Sequence, residues 1–242
     1  MNSFISWVGG KMALRDEIIA RFPTEYGRYI EVFGGAGWTL FRKPPEKFEV
    51  WNDFNSDLVN LYRAVKEHSE ELIRALDWTL NSRADFNRLK MLFRTPVKLP
   101  DVPRAAEYFR LITLSYGSKC VSFGGQPCEL GRRYPAIRGA HVRLGGVVIE
   151  NKDFEALLRQ YDREDAFFYL DPPYYGTEDY YGGVDFTPDD HARLRGALAG
   201  IGGKFLLSYN DCPEIRELYG DFNIEAIARL SNLSQRFEGG AE

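Results

Sequence analysis

The sequence has little of what disulfide-framed, metal-binding and membrane proteins depend on. Its 242 residues hold 3 cysteines and 3 histidines. Cys120, Cys128 and Cys212 form no CxxC pair, and an odd, widely spaced set argues against a disulfide framework. His68, His141 and His191 lie far apart, so no metal-ligand spacing is present and no metal is expected. No apolar run approaches the roughly 20 residues needed to span a bilayer. The opening Met1-Asn2-Ser3-Phe4-Ile5-Ser6-Trp7 has neither the basic nor the apolar region of a signal peptide. The expectation is a cytoplasmic protein with no membrane association.

Positive charge is also scarce overall, with 31 Lys and Arg against 35 Asp and Glu and a net charge of −4. That balance speaks against nucleic acid until the distribution is read. Between Trp78 and Gly146 stand twelve basic and four acidic residues, a net +8 that leaves −12 for the rest of the chain. A basic segment inside an acidic chain suits an electrostatic footprint on phosphates. A solvated helical face would have the same composition, and charge alone does not separate the two.

What the sequence does have is a rhythm of short apolar runs and helical patterns. Tyr29–Phe33 ends in glycines and reads as a buried strand with a tight turn. Glu49–Trp51, Val147–Ile149, Ala166–Leu170 and Lys204–Ser208 read as four more strands, continuous rather than alternating, as expected when both sheet faces are covered. Helical patterns lie at Asn55–Lys66, Phe154–Gln160 and Pro188–Leu198. Alternating strands and helices imply an α/β fold with a mostly parallel sheet. Residues 78–146 break the rhythm. Arg83–Phe93 and Arg104–Leu114 look helical, and residues 115–146 read as loops or a hairpin. This stretch is taken as an insertion, and it coincides with the basic segment.

Asp171-Pro172-Pro173-Tyr174 follows directly on the apolar run Ala166–Leu170. In an open α/β sheet ligands bind beyond the carboxyl ends of the strands, which is where this tetrapeptide falls. A plain Pro-Pro turn is the weaker alternative. Other motifs accompany it: Trp7-Val8-Gly9-Gly10-Lys11, Glu31-Val32-Phe33-Gly34-Gly35-Ala36-Gly37, Asn52-Asp53-Phe54-Asn55 and Leu207-Ser208-Tyr209-Asn210. In this order they resemble the Dam-like DNA adenine-N6 methyltransferases of the α group across nearly the whole chain. The resemblance implies a Rossmann-like S-adenosylmethionine-dependent methyltransferase sheet. Residues 1–77 and 147–242 would form the catalytic domain, and 78–146 an inserted, mainly helical target-recognition domain. The implied partner is double-stranded DNA, bound by a monomer.

The residue types fit that chemistry. The N6 amine of adenine is conjugated with its ring and is a poor nucleophile. A site that activates it should offer acceptors to both N–H groups. Ionised Asp171 is acceptor-only, and the Pro172 carbonyl belongs to a residue with fixed φ and no N–H. Pro173 stiffens the turn, and Tyr174 offers a flat face to a base extruded from the stack. Positioning and electrostatics would supply most of the rate, with no covalent protein intermediate.

For the cofactor, Gly34, Gly35 and Gly37 allow a sharp turn and close backbone approach. The dinucleotide fingerprint is not completed, since Leu40 stands where a glycine or alanine would be needed. The resemblance therefore assigns the turn, with Phe33, to S-adenosylmethionine. Asp53, at the end of the second strand, would accept from the ribose hydroxyls; turn formation is its other reading. The resemblance points Asp153 and Phe154 at the cofactor adenine, although Asp153 would serve equally as an N-cap. It puts Trp7 and Lys11 near the methionine end, with Asp171 between cofactor and base.

On the DNA side, Tyr116–Lys119, Phe123–Gly125 and Arg132–Tyr134 mix basic, aromatic and glycine residues that can follow phosphates or wedge into an opened stack. Lys119, Arg132, Arg133 and Arg138 are the candidate contacts. Pro127-Cys128 is the pair that a cytosine C5 methyltransferase would need, but it lies in the loop-rich insertion rather than after a strand, and is read as incidental. A non-catalytic DNA-binding relic is the remaining alternative. Finally, Asn223–Ala228 reads as a strand, and the family's last strand is missing after Ser231–Phe237. The segment beyond about Asp221 is expected to be displaced or poorly ordered.

Overall fold

The computed structural model describes residues 1–77, 82–94, 101–125, 129–178 and 186–227. Cys128, Trp78 and the stretch Ser231–Glu242 lie outside the described residues. Two compact units are present, Met1–Tyr209 and Asn210–Glu242.

The first unit is built on a parallel sheet of β1 (Arg28–Glu31), β2 (Glu49–Asn52), β3 (Val147–Glu150), β4 (Ala166–Leu170) and β5 (Lys204–Leu207), in the order β3-β2-β1-β4-β5. Every residue of β4 is buried, as are three of the four in β1 and all four in β2. This is the burial expected of inner strands covered on both faces. Each strand falls where a continuous apolar run predicts one. From β1 the chain steps outward to β2 and β3, then crosses back to β4 on the other side of β1. The order therefore reverses between β1 and β4, the switch point at which such sheets open a crevice. Register carries the two strand ends to one level. Glu31 pairs with Tyr169, and the Val32 amide donates to the Tyr169 carbonyl at 3.0 Å.

Asn52 ties three strand ends together. Its Nδ2 donates to the Val32 carbonyl (2.8 Å) and the Lys152 carbonyl (3.1 Å), and its Oδ1 accepts from the Lys152 amide (2.8 Å).

Helices α1 (Arg15–Ile19) and α2 (Trp38–Arg42) flank β1 in the chain, and α3 (Ser56–Asp77) follows β2. Asn55 caps α3 by accepting from the Asp57 and Leu58 amides (3.0 and 3.1 Å). The helix runs well past Lys66, where the sequence pattern predicts its end. It bends at His68 (φ −134°) and then buries Leu72, Ile73 and Leu76, so the apolar stripe resumes after the break. Two further helices, α4 (Arg83–Leu92) and α5 (Asp101–Leu114), match the expected ones closely.

Residues 115–146 depart from the reading as loops or a hairpin. Strand pairing there amounts to one antiparallel bridge, Ser115 with Phe123, among the described residues. Two 3₁₀ turns follow, Tyr116–Ser118 and Leu130–Arg133, and then α6 (Tyr134–Leu144). Glycine, proline and three charged or histidine residues (Arg138, His141 and Arg143) obscure α6 in the sequence. Its signal is only Ile137, Ala140 and Leu144, buried at helical spacing, with Pro135 in the first turn. Both α5 and α6 pack on α3, and their apolar faces join the sheet in one core.

Beyond β3, α7 (Phe154–Tyr161) and α8 (Pro188–Ala199) lie as expected. The second unit contains α9 (Pro213–Leu218), where Arg216 pairs bidentately with Asp211 (2.5 and 2.9 Å). Asn223–Ile227, the described part of the expected strand 223–228, is irregular rather than extended in a ladder. Alternation of Ile224 and Ala226 with Glu225 and Ile227 did not suffice; Ile224 and Ile227 are both exposed.

Candidate active site

The switch point between β1 and β4 opens into a cleft of about 920 Å³, its mouth included. Trp7, Lys11, Phe33, Gly34, Gly35, Asp53, Asp171 and Pro173 all line it, so separate stretches of the sequence converge there.

At its centre Lys11 is nearly buried and pairs with Asp171, Nζ lying 2.5 Å from Oδ1 and 2.6 Å from Oδ2. Lys11 also donates to the Gly9 carbonyl (2.9 Å) and lies 4.7 Å from the centre of the Tyr174 ring. Burial acts to lower its pKa, but Asp171 and Tyr174 together raise it above the ordinary lysine value, so the ammonium stays charged. Ser208, at the end of β5, donates to Asp171 Oδ1 at 2.8 Å. The carboxylate of Asp171 is thus held on two sides, with lone pairs to spare for a further donor. Burial and the nearby Asp171 charge raise the pKa of Tyr174, which keeps the phenol neutral.

The glycine turn after β1 is needed for room as much as for shape. A Cβ on Gly34 would collide with the Trp51 indole, and Gly35, at φ +49°, turns over the Trp7 ring. Asp53 closes this turn by accepting from the Gly35 amide (2.9 Å) and the Asn55 amide (2.8 Å). Burial pushes its pKa up to about 6, with the Asn55, Gly35 and Phe54 amides working the other way. Gly37, at φ +62°, starts α2 and does not line the cleft; its backbone carries the turn into the helix.

Several cleft residues were not singled out from the sequence. Glu31 lies on the floor, accepting from the Tyr29 hydroxyl (2.8 Å) and the Leu40 amide (3.0 Å). Burial lifts its pKa to about 7 against the pull of those bonds. Tyr108, from α5, and Ser118 and Cys120, after it, also line the cleft. Ser118 and Cys120 both adopt positive φ (57° and 56°), which no composition rule signals in non-glycine residues.

A family model described as D12 class N6 adenine-specific DNA methyltransferase matches residues 7–121 and 136–233. The chain belongs to this family. A DNA adenine methylase of Haemophilus influenzae is 39% identical to this D12 methyltransferase, over 97% of the chain and 88% of the relative. The type II methyltransferase M1.LlaDCHI of Lactococcus lactis subsp. cremoris is 28% identical, over 94% and 87%. The type II methyltransferase M.CviBI of Paramecium bursaria Chlorella virus NC1A is 26% identical, over 92% and 88%.

Other expected site residues of the D12 methyltransferase lie apart from the cleft lining. Asp153 caps α7 through the Glu155 amide (3.0 Å) and takes a bidentate pair from Arg193 (3.1 and 2.8 Å). Phe154 is buried, 5.7 Å from the Phe33 ring, with the Arg193 guanidinium 4.0 Å from its centre. Phe33 thus links the pair to the cleft. Of the expected DNA contacts, Lys119 lines the cleft itself. Arg132 is 82% exposed and pairs with Glu129 (2.6 Å), Arg133 is exposed, and Arg138 is held bidentately by Glu70 on α3 (2.7 and 2.9 Å).

Much of the segment's basic excess is spent internally. Arg143 is largely covered, at 9% exposure of its side chain, and pairs bidentately with Glu49 of β2 (2.5 and 2.8 Å), which Lys43 also holds at 2.6 Å. Arg110 is buried beside Glu107 (2.7 Å), and Arg104 pairs with Asp57.

Proposed function

We propose that the protein transfers a methyl group from S-adenosylmethionine to the N6 amine of an adenine in double-stranded DNA, acting as a cytoplasmic monomer and leaving S-adenosylhomocysteine. One observation carries the reading: Asp171 and Pro173 of the Asp-Pro-Pro-Tyr turn after β4, and Gly34 and Gly35 of the glycine turn after β1, line a single cleft at the sheet's switch point.

The cleft suits such a cofactor. Gly34 and Gly35 keep a wall free of side chains where Trp7 and Trp51 leave no space for a Cβ. Asp53 spends part of its roughly four acceptor positions on the Gly35, Asn55 and Phe54 amides and keeps capacity for a ribose hydroxyl. The Lys11 ammonium complements a carboxylate, and Phe33 with Phe154 and Asp153 behind it gives an apolar and polar edge for an adenine ring. When bound, the cofactor supplies an electrophilic methyl group on a sulfonium.

The chain's own part is to present the amine. Asp171, fixed by Lys11 and Ser208, accepts one N–H of the target, and the Pro172 carbonyl accepts the other. Two acceptors favour a pyramidal nitrogen whose lone pair is available. Tyr174 stacks on the extruded base, and Pro173 closes the turn between them. The insertion 78–146 is the target-recognition region, with Lys119, Arg132, Arg133 and Arg138 toward the DNA backbone.

The test is to incubate the protein with unmethylated plasmid and S-adenosylmethionine and map modified bases by single-molecule sequencing. N6-methyladenine at one recurring sequence is the expected result. Modified cytosines, or bound cofactor with no methyl transfer, would refute the assignment.

A further inference from the structure

His191 is the one histidine that is buried, at 2% exposure, and the mechanism proposed for methyl transfer makes no use of it. It sits in the first turn of α8, whose start is rigid. The Thr187 amide donates to Asp190 (2.7 Å), and the Phe186 ring packs on His191 with centroids 5.0 Å apart. This is a capping box with its staple, the aromatic before the cap meeting the fourth helical residue.

Both imidazole nitrogens are engaged. Nε2 is 2.8 Å from Glu178 Oε1, and Nδ1 is 2.6 Å from the Tyr209 hydroxyl. Glu178 is itself anchored by the Gly176 amide (3.0 Å). A carboxylate accepts only, so Nε2 carries the proton toward Glu178. In the neutral ring Nδ1 then accepts from the Tyr209 hydroxyl. Tyr209 stands beside Ser208, and its ring lies 6.0 Å from that of Tyr174, inclined at 34°. A chain of contacts therefore runs from Glu178 through His191 and Tyr209 to the aromatic face of the catalytic turn.

We infer that His191 is a positioning residue for methyl transfer: by accepting from the Tyr209 hydroxyl it fixes the Tyr209 ring, which sets the tilt of Tyr174 against the target base. This rests on the function proposed above. The cofactor cleft is not involved, since neither His191 nor Tyr209 lines it.

The position of each nitrogen gives a discriminating test. In His191→Asn the amide falls where Nδ1 was and can still meet Tyr209, while Glu178 loses its partner. In His191→Gln the amide nitrogen falls where Nε2 was and keeps Glu178, while Tyr209 loses its acceptor. Tyr209→Phe removes the same bond from the other side. Initial rates on unmethylated DNA should show kcat about tenfold lower for His191→Gln and Tyr209→Phe. KM and calorimetric affinity for S-adenosylmethionine should stay within about twofold. His191→Asn should keep kcat within about threefold of the parent. A cementing role for the histidine forecasts different data, with rates following the thermal midpoint and the variant that loses Glu178 suffering as much as the one that loses Tyr209. That pattern, or a His191→Gln enzyme of normal kcat, overturns the inference alone. A parent protein that transfers no methyl to adenine overturns the proposed function and this inference with it.

Discussion

In the cleft, Lys11 and Asp171 meet with 6% and 17% of their side chains exposed, and their charges cancel at the point where the proposed chemistry would occur. At the surface of the basic segment 78–146, Arg132 and Glu129 also cancel, but at 82% and 69% exposure. The geometry is alike and the physics is not. Water screens the surface pair, so it contributes little to stability and yields readily to a phosphate. The buried pair is held in a low-dielectric setting, where each partner's position and protonation depend on the other. Charge counted along a sequence therefore says less than where its partner stands. The +8 of residues 78–146 includes Arg143 and Arg110, which are held against Glu49 and Glu107 and unavailable to DNA.

The largest effect should come from the cleft. Asp171→Ala removes the acceptor for the amine, and methyl transfer should fall by roughly a thousandfold or more. Cofactor affinity, measured by calorimetry, should change only a few-fold. A rate within tenfold of the parent would mean that the buried pair is structural, and the contrast with the surface would collapse.

Next comes a basic residue of segment 78–146 that the contrast assigns to the interior. Arg143→Met leaves Glu49 with Lys43 alone in a buried site and should cost about 3 kcal/mol, or roughly 6–12 °C in thermal midpoint. The salt dependence of DNA binding should be unchanged. A flatter salt slope with an unaltered midpoint would place Arg143 in the DNA footprint instead.

The cleft's buried carboxyls give a pH signature. Glu31 and Asp53 have pKa values of about 7 and about 6, both raised by burial. A carboxyl with a raised folded pKa holds its proton more tightly folded than unfolded. Its contribution is complete below the unfolded value and is lost as pH rises through the folded one. The cofactor-free protein should therefore lose on the order of 1–3 kcal/mol between pH 5 and pH 8. In Glu31→Gln the upper part of that slope should flatten, as read by chemical denaturation across the range. An identical pH profile in the variant would show that Glu31 keeps its ordinary acidity.

The smallest effect should be at the surface. Reversing Arg132 and Arg133 to Glu should weaken DNA binding and reduce the salt slope by about one for each phosphate no longer neutralised. Arg138→Ala should do less, since Glu70 already occupies that guanidinium. If Arg138→Ala weakened binding more than the double reversal, internal pairing would be no guide to availability.

The parallel sheet was legible because its strands are buried on both faces and so appear as unbroken apolar runs; β4 matches residue for residue. The Asp-Pro-Pro-Tyr turn after β4 and the glycine turn after β1 were legible because proline and glycine punctuate strand ends for reasons of backbone geometry. Three kinds of feature were not. Helix α6 hides behind a glycine and a proline because three buried residues suffice to dock it. Glu31 looks like any strand-end acid until the fold removes its water. The link from Glu178 through His191 to Tyr209 joins residues up to 31 positions apart in the chain, and no local pattern records such a contact. In its described part, 223–227, the expected strand failed for the opposite reason, a fair alternation whose isoleucines, Ile224 and Ile227, stay exposed.

The reversal of strand order also dictates when the active site can exist. During synthesis β1 emerges early and acquires β2, yet its other neighbour, β4, waits for the whole of α3 to α7 to be made. At roughly 5–20 residues per second, the inner edge of β1 stays unpaired for about seven to thirty seconds on the ribosome. Tyr29 and Ile30, fully buried in the finished sheet, lie on that open edge. The nascent chain thus passes through a long interval in which it exposes a strand template to its neighbours. Slow translation downstream of β3 should lengthen that interval and lower the soluble yield, whereas a holdase that covers β1 should restore it.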